Sequence, residues 1–120
     1  MNVKKVKVTE VGPRDGFQSE KTVLKTEDKV DIINHLIKVG FRRIEVSSFV
    51  SPKAIPQLAD AATILDNVKR NSNTTLAALV PNAKGALRAV DAKLDEIVVF
   101  LSASETVSYT HLTLPTIMPV

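Results

Sequence analysis

The sequence predicts an α/β fold with a parallel sheet. Three observations carry that reading. Apolar residues recur with strand and helix periods in turn, giving the order β-α-β-α-β-α-β. The segments between them are short and marked by Gly, Pro or Asn. The third and fourth predicted strands are continuous apolar runs, as strands buried between two layers are. Such alternation implies right-handed crossovers. Two architectures satisfy it: an open doubly wound sheet, or part of an eight-stranded βα barrel.

Each element has its own signals. Val6 and Val8 alternate with Lys7 and Thr9, and Val11 follows, so a first strand is expected to end at the turn Gly12-Pro13. Thr26 is expected to cap the first helix, with Glu27 and Asp28 in its first turn, where the helix dipole favours acids. Val30, Ile33, Leu36 and Ile37 recur at helical spacing, and Gly40 closes the helix. Residues 43–49 form the second strand, with Ile44 and Val46 on one face and Glu45 and Ser47 on the other. Ser51-Pro52 and Pro56 lead into a helix whose stripe is Leu58, Ala61, Ala62, Leu65 and Val68. After the polar break at residues 71–73 comes a third strand, 75–80. Pro81 and a capping Asn82 open a third helix with Ala83, Ala86, Leu87 and Val90 on one side, and residues 96–101 form the fourth strand.

Bulk properties narrow the function classes. The 120 residues suit one small domain, and the 44% hydrophobic and 24% charged shares are those of an ordinary globular protein. Net charge is only +3, with Lys and Arg dispersed, so no nucleic-acid partner is expected. The absence of Cys excludes a disulfide framework and a Cys-based zinc site in this sequence. No apolar run of about 18 residues suggests a membrane span. The first residues lack the apolar centre of a signal peptide, so cytoplasmic residence is expected.

Both α/β designs place their chemistry at the C-terminal ends of the strands. The first predicted turn, Gly12-Pro13-Arg14-Asp15-Gly16, is not the G-x-G-x-x-G of a dinucleotide site. Arg14, Asp15, Gln18, Glu20 and Lys21 follow the first strand; Glu45, Ser47 and Ser48 belong to the second; Ser102, Ser104 and Glu105 follow the fourth. Asp15 offers a hard oxygen suited to Mg²⁺ or Mn²⁺, and Arg14 a fixed positive charge for a carboxylate or developing oxyanion. The same pair also suits a salt-bridged turn. Glu45 interrupts an apolar strand, where a carboxylate needs a partner. It reads as a base or orienting group, or equally as a plain ion-pair partner of Arg14 or Lys21. Glu10 reads as a structural hydrogen-bonding group, and His35, in the middle of the first helix, as structural or surface.

Three segments together resemble the hydroxymethylglutaryl-CoA lyase family. They are Val11-Gly12-Pro13-Arg14-Asp15-Gly16-Phe17-Gln18-Ser19-Glu20-Lys21, then Ile44-Glu45-Val46-Ser47-Ser48-Phe49-Val50-Ser51-Pro52-Lys53, and Val80-Pro81-Asn82 with Ser102-Ala103-Ser104-Glu105. Arg-Asp-Gly alone also occurs in condensing relatives of the isopropylmalate synthase type; the second segment is the one particular to the lyases. The resemblance implies the N-terminal half of a TIM (β/α)8 barrel, about four parallel strands and three helices, in a pyruvate carboxyltransferase-like domain spanning residues 1–106. It implies cleavage of 3-hydroxy-3-methylglutaryl-CoA to acetyl-CoA and acetoacetate, a step of leucine degradation, with Mg²⁺ or Mn²⁺ as cofactor, an acyl-CoA substrate and a homo-oligomeric full-length enzyme. It makes Asp15 a metal ligand, Arg14 and Glu45 catalytic, and Arg14, Gln18, Lys21 and Ser48 substrate-binding. The alternatives are a condensing enzyme joining an acyl-CoA to an oxo acid, and a non-catalytic CoA-binding α/β module.

The family's His-x-His pair, Asn ligand and Cys-bearing loop are absent here, and a whole βα barrel takes about 250 residues. An incomplete barrel leaves strand edges bare, so this chain is expected to self-associate and to be inactive alone. Residues 107–120 depart from the family pattern. Val107 to Thr116 reads as the translation of a transposase-based sequencing adapter, so 107–120 is expected to be a non-native, disordered tail.

Overall fold

Three parallel strands stand side by side in chain order: β1 (Arg43–Ser48), β2 (Thr75–Leu79) and β3 (Glu96–Val98). This arrangement comes from a computed structural model that describes residues 5–100. Leu101 of the fourth predicted strand, Ser102, Ser104, Glu105 and the predicted tail at 107–120 lie outside the described residues. Between the strands run α1 (Thr26–Val39), α2 (Ala61–Asn67) and α3 (Ala83–Asp91). A doubly wound sheet reverses its strand order at a switch point, whereas here every consecutive strand is the next neighbour. The architecture is an open, unclosed piece of βα-barrel type.

The first predicted strand is present as one link. Glu10 bridges Ile44 in parallel, its N–H donating to the Arg43 carbonyl at 3.1 Å while its carbonyl accepts from Glu45 N–H at 2.9 Å. Val6 and Val8 stand exposed. The alternation in the sequence is real, but among the described residues only the C-terminal end of this segment has a backbone to pair with. Arg43 ties the base of the sheet together, donating to Thr9 Oγ1 at 2.9 Å and to Glu96 Oε1 at 2.6 Å.

One apolar layer fills the space between sheet and helices. Ile44, Val46, Leu76, Ala78 and Val80 from the strand side meet Ile33 and Ile37 of α1, Ile64 and Leu65 of α2, and Ala89 of α3. Burying each large aliphatic side chain contributes about 1.5–3 kcal/mol. α1 ends at Gly40 with φ 110°, a left-handed C-cap that glycine adopts at no steric cost.

Three details differ from the sequence reading. Thr26 is the first residue of α1 rather than its cap, because its hydroxyl donates to Asp60 Oδ2 at 2.6 Å. Leu58, Ala61, Leu65 and Val68 of the expected α2 stripe are buried, but Ala62 faces out and Ile64 takes an inward place instead. In α3 the buried residues are Gly85 and Ala89, and Leu87 and Val90 point away from the sheet. The cause lies at Gly85: a Cβ there would sit 2.6 Å from the carbonyl oxygen of Phe49, so the helix meets the end of β1 along its smallest residue. Asn82 caps α3 as its position suggested, its Oδ1 accepting from Gly85 N–H at 2.8 Å.

Candidate active site

The chain leaves Glu10 through a π-helical turn, Gly12–Gly16, with the ring of Pro13 buried beneath it. The N–H groups of Arg14 and Asp15 both donate to the Val11 carbonyl, at 3.1 and 2.7 Å. Glu10 Oε1 accepts from Gly12 N–H at 3.0 Å, and a Cβ at Gly12 would lie 2.7 Å from that same oxygen. A side chain at Gly12 would displace the Glu10 carboxylate from this bond, and Glu10 has the structural hydrogen-bonding role its position suggested.

The turn aims Arg14 at β1. Arg14 Nε donates to Glu45 Oε1 at 2.9 Å, and its Nη1 lies 3.4 Å from Asp15 Oδ1. Glu45 is buried; Arg14 is mostly covered, and the Asp15 side chain is 64% exposed. The short contact onto a buried carboxylate is charge-assisted and sets the guanidinium plane. The longer one, onto an exposed carboxylate, contributes little. The ion-pair partner of Glu45 is Arg14 rather than Lys21.

A β-bulge in β1 decides which serine joins them. Glu45 pairs with Ala77, but the next partners are Ser47 with Ala78 and Ser48 with Leu79, so Val46 is an extra residue in the ladder. Ala78 belongs to the helix-side core, as do Val46 and Phe49. By register, Ser47 therefore sits on the helix side, and Ser48 comes round to the face of Glu45. Simple alternation from Glu45 had placed Ser47 there. Both serines are buried, and neither hydroxyl has a hydrogen-bond partner among the described residues.

Arg14, Asp15, Glu45 and Ser48 are thus gathered at one end of the sheet. Gln18 is half-buried just past the π-helical turn, and Lys21 is exposed beyond it; neither is tied by a hydrogen bond or ion pair to the Arg14–Glu45 pair. Sequence reasoning missed Lys29 and Asp60. Their ion pair at 2.9 Å joins α1 to the segment before α2. The signal was present: Lys29 stands one turn before Ile33 on the inward stripe of α1. His35 lies on the surface, with Nδ1 2.7 Å from the Asp31 carbonyl oxygen. Among the described residues no cluster of three or more His, Cys, Asp or Glu is placed to hold a metal ion. Asp15 nevertheless fits a hard divalent cation as a single ligand, since its exposed carboxylate carries only the one long contact to Arg14. No helix among the described residues is long and apolar enough to cross a membrane.

Polar side chains following the first strand segment and along β1, in a parallel βα layer, match the arrangement in which βα-barrel proteins place their sites, at the C-terminal ends of the strands. The chain belongs to the HMGL-like family, whose model matches residues 5–114. It is 48% identical over 103 residues to a hydroxymethylglutaryl-CoA lyase of Bacillus subtilis, covering 86% of this chain and 34% of that protein. It is 44% identical over 105 residues to a 3-hydroxy-3-isohexenylglutaryl-CoA/hydroxy-methylglutaryl-CoA lyase of Pseudomonas aeruginosa, covering 88% of this chain and 35% of that protein. Among solved structures, an HMG-CoA lyase from Acinetobacter baumannii in complex with coenzyme A and 3-methylmalate superposes with a TM-score of 0.84 at 46% identity, covering 88% of this chain and 35% of that one. The Bacillus subtilis HMG-CoA lyase structure gives 0.86 at 45% identity, covering 92% and 37%. The chain spans about a third of the length of the relatives it matches.

Proposed function

We propose that this chain supplies the N-terminal part of a hydroxymethylglutaryl-CoA lyase active site. The observation that supports the reading is the Arg14–Glu45 contact at 2.9 Å, which holds a guanidinium beside the exposed carboxylate of Asp15. The relatives' names favour a lyase over a condensing enzyme or a CoA-binding module.

The reaction begins when a base takes the proton of the substrate's tertiary hydroxyl. The bond between that carbon and the acetyl-CoA methylene then breaks, leaving acetoacetate and the enolate of acetyl-CoA, which a proton donor completes. Arg14 offsets the charge that grows on the thioester oxygen, with Glu45 keeping its guanidinium in plane. Ser48 presents its unpaired hydroxyl to a polar substrate atom, and Gln18 and Lys21 meet the rest of the substrate. Asp15 would hold a Mg²⁺ or Mn²⁺ ion, its remaining ligands coming from outside the described residues. Such an ion, when bound, supplies positive charge that lowers the cost of an alkoxide. The full-length enzyme is read as a cytoplasmic homo-oligomer.

Full-length protein should release acetyl-CoA and acetoacetate from 3-hydroxy-3-methylglutaryl-CoA, and Arg14→Met should abolish that release. Isohexenyl and methyl substrates run side by side would fix the acyl preference. Free CoA appearing from an acyl-CoA plus a 2-oxo acid, with no cleavage, would assign the condensing reaction instead. Metal-independent binding of CoA by calorimetry, with neither reaction, would assign the binding module.

A further inference from the structure

The chemistry above makes no use of the most buried cation among the described residues. Lys29 is 1% exposed. Its Nζ donates to Asp60 Oδ1 at 2.9 Å and to the main-chain oxygen of Gln57. The second oxygen of Asp60 accepts from Thr26 Oγ1 at 2.6 Å. Gln57 then reaches onward: its Nε2 donates to the main-chain oxygen of Glu20 at 3.1 Å. The chain of contacts runs from inside α1, through the turn Pro56–Leu58, to the residue before Lys21.

Two features give this chain of contacts a purpose beyond packing. A buried ion pair is a poor source of stability, since an apolar pair of similar volume often does as well, but its hydrogen bonds fix geometry. Here the ammonium fixes where the Gln57 main chain lies. In addition, residues 21–24 have no helix or strand of their own, and the Gln57 amide is the one hydrogen bond that ties residues 20–24 to another part of the chain among the described residues. We propose that Lys29, Asp60 and Gln57 are positioning residues, a tether that sets the segment bearing Lys21 against the loop after β1. The proposal rests on the lyase reading, because that reading makes Lys21 a substrate contact.

The test pairs two variants with two readouts. Gln57→Ala removes the last link alone. Lys29→Met/Asp60→Leu replaces the buried pair by apolar groups and keeps the helices packed. In the full-length protein under native conditions, tryptic cleavage after Lys21 should quicken about fivefold in both variants, the net worth of one hydrogen bond. In the full-length lyase, KM for the CoA ester should rise by a similar factor, with kcat and thermal midpoint little changed. Unchanged cleavage after Lys21, or a lower thermal midpoint with an unmoved KM, would overturn the tether. Quickened cleavage after Lys21 in protein that cleaves no hydroxymethylglutaryl-CoA would uphold the tether and remove the lyase reading, so the two fail separately.

Discussion

The bulge in β1 makes neighbouring serines unlike, and a pair of alanine substitutions measures the difference. Ser47 pairs with Ala78 on the helix side and is fully buried, its hydroxyl unpaired among the described residues; Ser48 pairs with Leu79 on the face of Glu45. An unsatisfied buried hydroxyl costs about 1–3 kcal/mol. Ser47→Ala deletes that hydroxyl, and the void left by one oxygen gives back part of the gain. The expected result is a net stabilisation of about 1 kcal/mol, seen as a higher urea midpoint at constant slope, with kcat/KM unchanged. Ser48→Ala removes an equally buried and unpaired hydroxyl, so it should give a similar stabilisation, but it should also lower kcat/KM about fivefold, the worth of one hydrogen bond to substrate. Urea unfolding and steady-state cleavage on the same full-length preparations give both numbers. Equal losses of kcat/KM in the two variants would refute the register argument, and so would a Ser47→Ala protein destabilised by 1 kcal/mol or more.

Further outcomes follow from single contacts. Glu45→Gln keeps an acceptor for Arg14 but exchanges a charge-assisted bond for a neutral one; the difference, about 1–1.5 kcal/mol, should lower kcat/KM about tenfold. Gly85→Ala gains about 1 kcal/mol of helix propensity, yet its methyl would lie 2.6 Å from the Phe49 carbonyl oxygen, so a net loss of about 1–2 kcal/mol should appear in chemical denaturation. Lys93 follows α3 with φ 58°, where a side chain is strained, and Lys93→Gly should raise stability by about 1 kcal/mol in the same experiment. Residues 107–120 are proposed to be adapter-derived although the family match runs to residue 114; resequencing the gene from a fresh template should give a different sequence after Thr106.

Much of the fold was legible because helix and strand periods do not mimic one another. Val30, Ile33 and Ile37 could only be one helical face, and residues 75–80 only a buried strand. Arg14, Asp15 and Glu45 were legible for a different reason: charged groups at strand ends, or inside apolar strands, need partners. What escaped the sequence depended on a third element. α3 turns its Gly85–Ala89 side inward because a backbone carbonyl from another strand sits there, and no periodicity within α3 records that carbonyl. Thr26 gave up its capping role to Asp60, thirty-four residues away. The face occupied by Ser48 depended on one unpaired residue in a ladder, which alternation counted along a single strand does not register.

That extra residue also makes β1 a segment with no graded way to go wrong. If Val46 were drawn into the regular ladder, everything after it would slide by one place. The phenyl ring of Phe49 would swing into the substrate-facing mouth, and the hydroxyl of Ser48 would be driven among aliphatic side chains. The ring would also leave the guanidinium of Arg88, which lies 5.4 Å from its centre. The length and phase of this strand therefore matter as much as its composition, and a mis-phased chain is a misfolded one.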